Sequence, residues 1–480
     1  MFFACNRNED DSFQPGKEAN ADKEVVSHIS VEIQGFGTSS TRAEGNDGEG
    51  LSLEGYDWFH PELSPYDTPD DLFPKKFVEG SRLFISQKSS SIDPSFPADW
   101  ESKSYNNFYV YQYKEDNDGA SWEGGYNFVP YYEDKYQIDW RKIRDYGSDG
   151  NAFKFYALFF PSNTPYTEHA ETKRWNVGQW QSNYASEALY NYDIMGGYHA
   201  TPSLYSRMRF KLYHLLCYVR VTLYVPTVEF DVDDKGNATG TYTGFGDNAF
   251  EDNNGGYGGT KGQPGIYIGN NSAIMGNGGN KMVAAHYYID YSAARSSDSD
   301  APLVKPDYKA VSNATNPAWI AMYLHREFDG TGNNGDSPEF WIDRTEFMDV
   351  PDKEKDENGR AMEKVRRYEF SAYIPPQDLS KMYGSDNPKK TIFFLTLKTL
   401  GAPHLDGDNN STQPSDGTYK HFSYTETGNS SKGYNVQFNQ GTIQHFYLYV
   451  PRSGNKTITI KANVLPWQET VTDMTVTEQE

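Results

Sequence analysis

Cysteine is scarce in this chain. Only Cys5 and Cys217 occur among 480 residues, too few for a disulfide framework. Long apolar runs are also missing. No stretch of about 18 apolar residues exists, so nothing reads as a membrane-spanning helix. Basic residues are in short supply, with 44 Lys and Arg against 67 Asp and Glu and a net charge of −23. Such a surface repels phosphate backbones and anionic membranes, which argues against a nucleic-acid partner.

The usual signatures of chemistry are lacking too. No glycine-rich run ends in Gly-Lys-Ser/Thr, none of the ten histidines lies in an HExxH pair, and there is no GxSxG elbow. "GTGNNG" (Gly330 to Gly335) has the spaced glycines of a dinucleotide loop, but "DSPEFWIDRTEF" after it does not open a helix. It reads as a hairpin loop. "DVDDKG" from Asp231 begins like a calcium loop, yet Lys235 takes a ligand place and Tyr242 stands where a bidentate Glu belongs. "DGDNNS" from Asp406 closes on Gly417 and fails likewise. Both read as solvated acidic turns. Carboxylates abound, but nothing singles out a pair for glycoside hydrolysis. The expectation is a protein that is not an enzyme, with no catalytic residue, metal or cofactor.

What is abundant is aromatic side chains and turn formers: 37 Tyr, 28 Phe, 9 Trp, 42 Gly and 25 Pro. That usage favours β-structure joined by long loops. "HISVEIQ" alternates with period two, Ile29, Val31 and Ile33 on one face and Ser30, Glu32 and Gln34 on the other. "NNFYVYQY", "YQIDWRKI" and "NAFKFYALFFPSN" read as strands, the last apolar enough to be central. "YDIMGGYHATPSL" reads as a loop. In "RMRFKLYHLLCYVRVTLYVP", Met208, Phe210 and Leu212 alternate in one phase, and Val219 to Val225 in the opposite phase. A bulge or irregularity between His214 and Tyr218 is therefore predicted. Cys217 falls there as a small buried hydrophobe.

Further on, "TVEFDVDDKGNATGTYTGF" reads as a hairpin turning at Asp234 to Asn237. Residues 246–280, rich in Gly and Asn, and 400–420 read as long loops. "AWIAMYLHREF", "RYEFSAYIPP", "TIFFLTLKTL", "TIQHFYLYVP" and "KTITIKANVLPW" read as strands, and "DKEKDENGRAMEKVRR" as a charged excursion able to form a short surface helix. The fold class expected is all-β, two tandem β-sandwich domains with long loops and a few short helices. Residues 1–24 form a polar tether, 25–226 the first domain, 227–467 the second, and 468–480 a tail.

Two features bear on function. Cys5 follows "FFA" and precedes an acidic run. It is either an incidental thiol or the lipid-bearing cysteine of a bacterial lipoprotein, most of whose signal peptide lies upstream of this start. Trp122, Trp175 and Trp180 stand among polar residues. They read as sugar-stacking positions or as core and loop anchors.

Taken in order, Cys5, the acidic tether, "HISVEIQ", "TRA" at Arg42 and Ala43, "IDWRKI", "FKFYALFFP", "FKLYHLLCYVRVTL" and "HFYLYV…ITIKANVLPW" resemble the fimbrillin-like (Mfa-like) lipoproteins of Bacteroidales type V pili. The resemblance implies transthyretin-like sandwiches, a lipid on Cys5 and export to the outer face of the outer membrane. It also implies cleavage between Arg42 and Ala43, which removes the first strand with Ile29, Val31 and Ile33. A neighbour's tail, presenting Thr472, Met474 and Val476, would then fill the vacancy. The implied partners are other pilus subunits and a host protein or glycan receptor. The competing reading is a surface glycan-binding lipoprotein of a polysaccharide-uptake system, also acidic, aromatic and β-rich. A strand-forming tail after the last sheet strand distinguishes the polymerising subunit.

Overall fold

A computed structural model describes residues 29–34, 81–88, 108–113, 126–132, 137–138, 154–160, 167–169, 174–178, 180–181, 192–200, 208–227, 229–232, 238–243, 265–269, 283–290, 302–307, 319–325, 339–347, 350–378, 389–398, 403–404, 413–414, 419–427, 437–450 and 459–466. The described chain is all-β, as the aromatic and turn-rich composition implied. Its complete helical elements among the described residues are two 3-10 turns, Arg344–Glu346 and Asp352–Glu354.

Seven strands close into a ring: β1 (Ile29–Gln34), β2 (Arg82–Lys88), β3 (Phe108–Tyr113), β4 (Tyr126–Pro130), β5 (Lys154–Phe160), β8 (Met195–Ala200) and β9 (Met208–His214), in the spatial order β1-β4-β3-β2-β5-β8-β9. Leu83, Ile85, Tyr111, Phe128, Phe155 and Phe210 fill its interior. The alternate residues Phe84, Val110 and Leu158 belong to a second core outside it. Because β5 is buried on both faces, "FKFYALFF" reads as a continuous apolar run rather than an alternating one. It pairs with both β2 and β8, the central place its composition called for.

The second core lies against a sheet ordered β17-β19-β10-β26-β27. Its members are β10 (Cys217–Pro226), β17 (Tyr323–His325), β19 (Met362–Ile374), β26 (Thr442–Tyr449) and β27 (Thr459–Pro466), with β18 (Glu339–Asp343) lying beside β17 along the outer edge of β19. Smaller sheets join β6 (Thr167–His169), β7 (Arg174–Asn176), β14 (His286–Asp290) and β15 (Leu303–Pro306), and also β13 (Gly265–Gly269), β16 (Trp319–Ala321), β21 (Lys389–Lys398) and β24 (Tyr419–Thr427). Three two-stranded pairs complete the set: β11 (Glu229–Val232) with β12 (Ala238–Thr243), β20 (Gln377–Asp378) with β25 (Gln437–Phe438), and β22 (Pro403–His404) with β23 (Gln413–Pro414).

Several expectations change. The phase flip between His214 and Tyr218 is where the chain leaves the ring at the end of β9 and enters the second sheet as β10. β10 pairs with β19 and β26 and not with the ring. "MGGYHA" is strand β8, not loop; its glycines hid the pattern. The 246–280 stretch contains β13, whose five residues are buried between β16 and β21. In the charged excursion the helix is limited to a 3-10 turn, and from Met362 the residues enter β19. Of "YQIDWRKI", Gln137 and Ile138 are described and neither is in a strand.

Three glutamines act as substitutes for peptide groups. Gln181 accepts from Tyr373 N at 2.8 Å and donates to Tyr373 O at 2.7 Å. Gln377 does the same for both backbone groups of Ala284. Gln440 accepts from Val304 N and donates to Pro302 O. Each amide carries a donor and an acceptor, so it satisfies a buried backbone site that no strand reaches. Gln181→Leu is expected to lower the urea midpoint by an amount equivalent to about 1–3 kcal/mol for each orphaned Tyr373 group, with the circular dichroism spectrum of the folded chain unchanged.

Candidate strand-exchange groove and buried charge cluster

β1 is the strand that closes the ring. It runs parallel to β9 over its whole length, from Ile29↔Met208 to Gln34↔Tyr213, and antiparallel to β4 from Ile29↔Phe128 to Val31↔Tyr126. Every other contact between neighbouring strands of the ring is antiparallel. Of the expected site residues, Ile29, Val31 and Ile33 therefore lie in a strand between β4 and β9. Cys5, Arg42, Ala43, Thr472, Met474 and Val476 lie outside the described residues, as does Trp122.

One flank of this slot depends on a glycine. β8 and β9 pair through Met195↔His214 and Gly196↔Tyr213, and a Cβ at Gly197 would come within 2.1 Å of the Lys211 carbonyl oxygen. Lys211 is itself the register partner of Glu32. Only a residue without a side chain lets β8 approach so closely while β9 offers its other edge to β1. Gly197→Ala is expected to destabilise the fold by about 1–3 kcal/mol and to increase hydrogen exchange at residues 29–34, measured by mass spectrometry.

A second constellation sits on one face of the central sheet. The register sets Ser371, Arg220 and His445 on one rung and Glu369, Thr222 and Tyr447 on the next. Glu369 accepts from Arg220 Nε at 3.0 Å, Arg367 Nε at 2.8 Å and Thr222 Oγ1 at 2.7 Å. Thr222 Oγ1 also meets His445 Nε2 at 2.7 Å, and the His445 ring stacks on Tyr447 with centroids 4.2 Å apart. Arg220, Arg367, Glu369 and His445 are all nearly inaccessible.

Burial alone would raise the Glu369 pKa, but Arg220 and Arg367 outweigh it and hold the carboxyl down at about 2. Burial, reinforced by Arg220, keeps the His445 pKa well below its ordinary value near 6.5. A Thr hydroxyl beside a neutral imidazole resembles a nucleophile and its base. With no solvent access and a firmly ionised carboxylate, the group is built for holding strands, not for turnover. Period two in "RRYEFSAY" puts Arg367, Glu369 and Ser371 on one face of a strand, a signal that sequence reasoning passed over, and nothing local says that the face is covered.

Other sequence candidates resolve as structure. Cys217 is buried against Thr442 with its thiol pushed up to about 12 by desolvation. Trp175 is a core residue, and Trp180 packs edge-on against Trp319 with centroids 4.4 Å apart. Among the described residues no cluster of His, Cys, Asp and Glu could hold a metal.

The pH dependence follows from the two shifts. His445 is neutral in the native state, so below about pH 6.5 the unfolded chain takes up a proton that the folded chain refuses, and stability falls. Glu369 adds to this from about pH 4.5 down to 2, as the unfolded carboxyl protonates first. Urea midpoints measured across this range should fall with acid in both windows, and His445→Asn should remove the fall in the upper one.

No family model matches the chain, and no curated protein matches it either. Solved structures with a similar course include a Bacteroides uniformis protein described as a cell adhesion protein, at 11% identity and TM-score 0.36, covering 82% of this chain and 94% of that one. A fimbrial protein of Bacteroides vulgatus aligns at 12% identity and TM-score 0.30, covering 92% and 100%. The tip fimbrial protein Mfa3 of Porphyromonas gingivalis aligns at 9% identity and TM-score 0.28, covering 82% and 95%.

Proposed function

We propose that this chain is a structural and adhesive subunit of a cell-surface fimbria, built from tandem transthyretin-like units and assembled by strand exchange after its first strand is removed. The observation that carries the reading is the seat of β1. This first strand of the described chain closes a seven-strand ring, and residues 35–80, with Arg42 and Ala43 among them, separate it from β2. A cut after Arg42 would leave β1 held by non-covalent contacts alone. Its departure would expose two strand edges, on β4 and β9, and a vacancy able to accept an incoming strand along its whole length.

The tail "QETVTDMTVTEQE" has the composition to fill it. It contains no Gly or Pro and is rich in Thr and Val, which favours extension. Thr472, Met474 and Val476 then occupy the places of Ile29, Val31 and Ile33. They are less apolar, so the tail loses a direct competition with β1, and proteolysis must come first. Lipid on Cys5 holds the subunit at the outer membrane, exposed to the surface, until assembly. Its partners in this reading are other fimbrial subunits and a receptor on the host.

The test is deletion of residues 470–480 alongside Arg42→Ala, in chains expressed with a complete lipoprotein signal. Each is expected to give a folded monomer that no longer forms ladders of oligomers on gels. Unchanged ladders from the deletion would show that the tail is not the donor strand.

A further inference from the structure

Three large apolar side chains stand exposed among the described residues: Leu303, Trp341 and Met362. Trp341 and Met362 lie on β18 and β19, which pair with each other. Leu303 opens β15, the outermost described strand of the sheet β15-β14-β7-β6. It is 44% exposed, and Lys305, two residues on, is exposed as well. An apolar side chain on a terminal strand, beside backbone groups turned outward, is the setting in which a sheet edge captures another chain.

The register identifies those outward groups. Asp307 N donates to His286 O, and Leu303 and Lys305 stand opposite Asp290 and Tyr288. Residues that bond to an antiparallel partner alternate, so 303, 305 and 307 turn their backbone toward β14. Positions 302, 304 and 306 turn theirs outward. Two of these are Pro302 and Pro306, which have no N–H to offer. The third donor, Val304 N, is bound to Gln440 Oε1 at 2.8 Å, while Gln440 Nε2 donates to Pro302 O at 2.6 Å. From 302 to 306, every outward donor of β15 is therefore absent or occupied.

The glutamine is firmly mounted. It precedes Gly441, whose φ of 62° favours glycine and whose N–H donates to Leu216 O at 3.0 Å. Thr442 Oγ1 closes the same turn on Asn439 O at 2.8 Å. The Gln440 amide engages Pro302 O and Val304 N as one residue of a neighbouring strand would, but brings no strand behind it.

We infer that Gln440, Pro302 and Pro306 seal the outer edge of β15 against strand addition by a second copy of this chain. An incoming strand finds no donor for its carbonyl groups there, and leaving them unpaired in a sheet is costly. Lys305, ion-paired with Asp290, also keeps a charge on this edge. The seal belongs to the folded monomer and stands apart from the fimbrial reading. In a subunit that exchanges strands, it removes an edge that would compete with the seat of β1.

The test opens the edge in the full chain with Gln440→Ala and Pro306→Thr, singly and together. The first frees Val304 N, and the second supplies a new outward N–H. Sedimentation velocity from about 1 to about 100 μM, the range in which exposed strand edges drive association, reads the mass. The double variant is expected to self-associate at concentrations about tenfold or more below those of the unaltered chain. Adding Leu303→Lys to it should restore the monomer. Should the double variant not fold, Pro306→Thr alone carries the test, because it adds a donor and removes no hydrogen bond; it should associate more than the unaltered chain. Gln440→Ala and Pro306→Thr proteins that melt lower yet associate no more than the unaltered chain would show a merely structural tie and overturn the inference.

Discussion

The strand Cys217–Pro226 is buried on both faces, and the second half of the described molecule is organised around that fact. Its odd-numbered side chains, Val219, Val221, Leu223 and Val225, join the core that also takes Phe84, Val110 and Leu158 from the outside of the ring. Its even-numbered side chains Arg220 and Thr222 meet Glu369 on β19, and Thr222 reaches His445 on β26. Apolar burial supplies most of the driving force but tolerates sliding of one strand along another. The charge cluster does not. A shift of one residue between β10 and β19 would take Arg220 and Thr222 away from the buried Glu369 carboxylate, and a shift of β26 would part His445 from Thr222; losing partners of a buried charge is far more costly than displacing a methyl group. Attraction on one face and register on the other are thus carried by different chemistry within one strand.

That division explains what could be read in the sequence. Alternation in "RMRFKLYHLLCYVRVTLYVP" gave two alternating runs and the place where their phase breaks, because period two survives burial on both sides when one face is polar. Its meaning was not legible. A bulge within one sheet and a passage between two sheets leave the same trace, and only the partners of β10 distinguish them. β8 and β13 went unseen for a different reason. Gly196 and Gly197 in one, and Gly265 and Gly269 flanking the other, are markers of loops in a sequence, yet they sit here where backbones crowd or short central strands end. β5 was legible as central because a run with no polar alternation has no solvent face to offer.

The candidate sites divide along similar lines. Ile29, Val31 and Ile33 were recognisable as one face of a strand, but the seat of that strand depends on β4, which begins at Tyr126, and on β9, which begins at Met208. Nothing local in the sequence encodes it. Trp341 shows the reverse case. In "DSPEFWIDRTEF" it has the look of a core aromatic, and the alternation of Phe340, Trp341 and Ile342 does not tell which face is covered. Burial of Ile342 settles the phase and turns the tryptophan outward.

The two parallel pairings in the described sheets have a temporal side. A chain synthesised from its N-terminus presents β1 early, yet its parallel neighbour β9 begins at Met208, and the ring is incomplete until that segment has been made. β10 meets the same delay, since its parallel partner starts at Thr442. Contacts so distant along the chain are slow to form, and until they do the strand edges stand open to any passing strand. A chain of this topology leaves strand edges open until β9 is made, and its own first segment is held close to them by the chain itself. That high local concentration adds to the fit of β1 in filling the slot first.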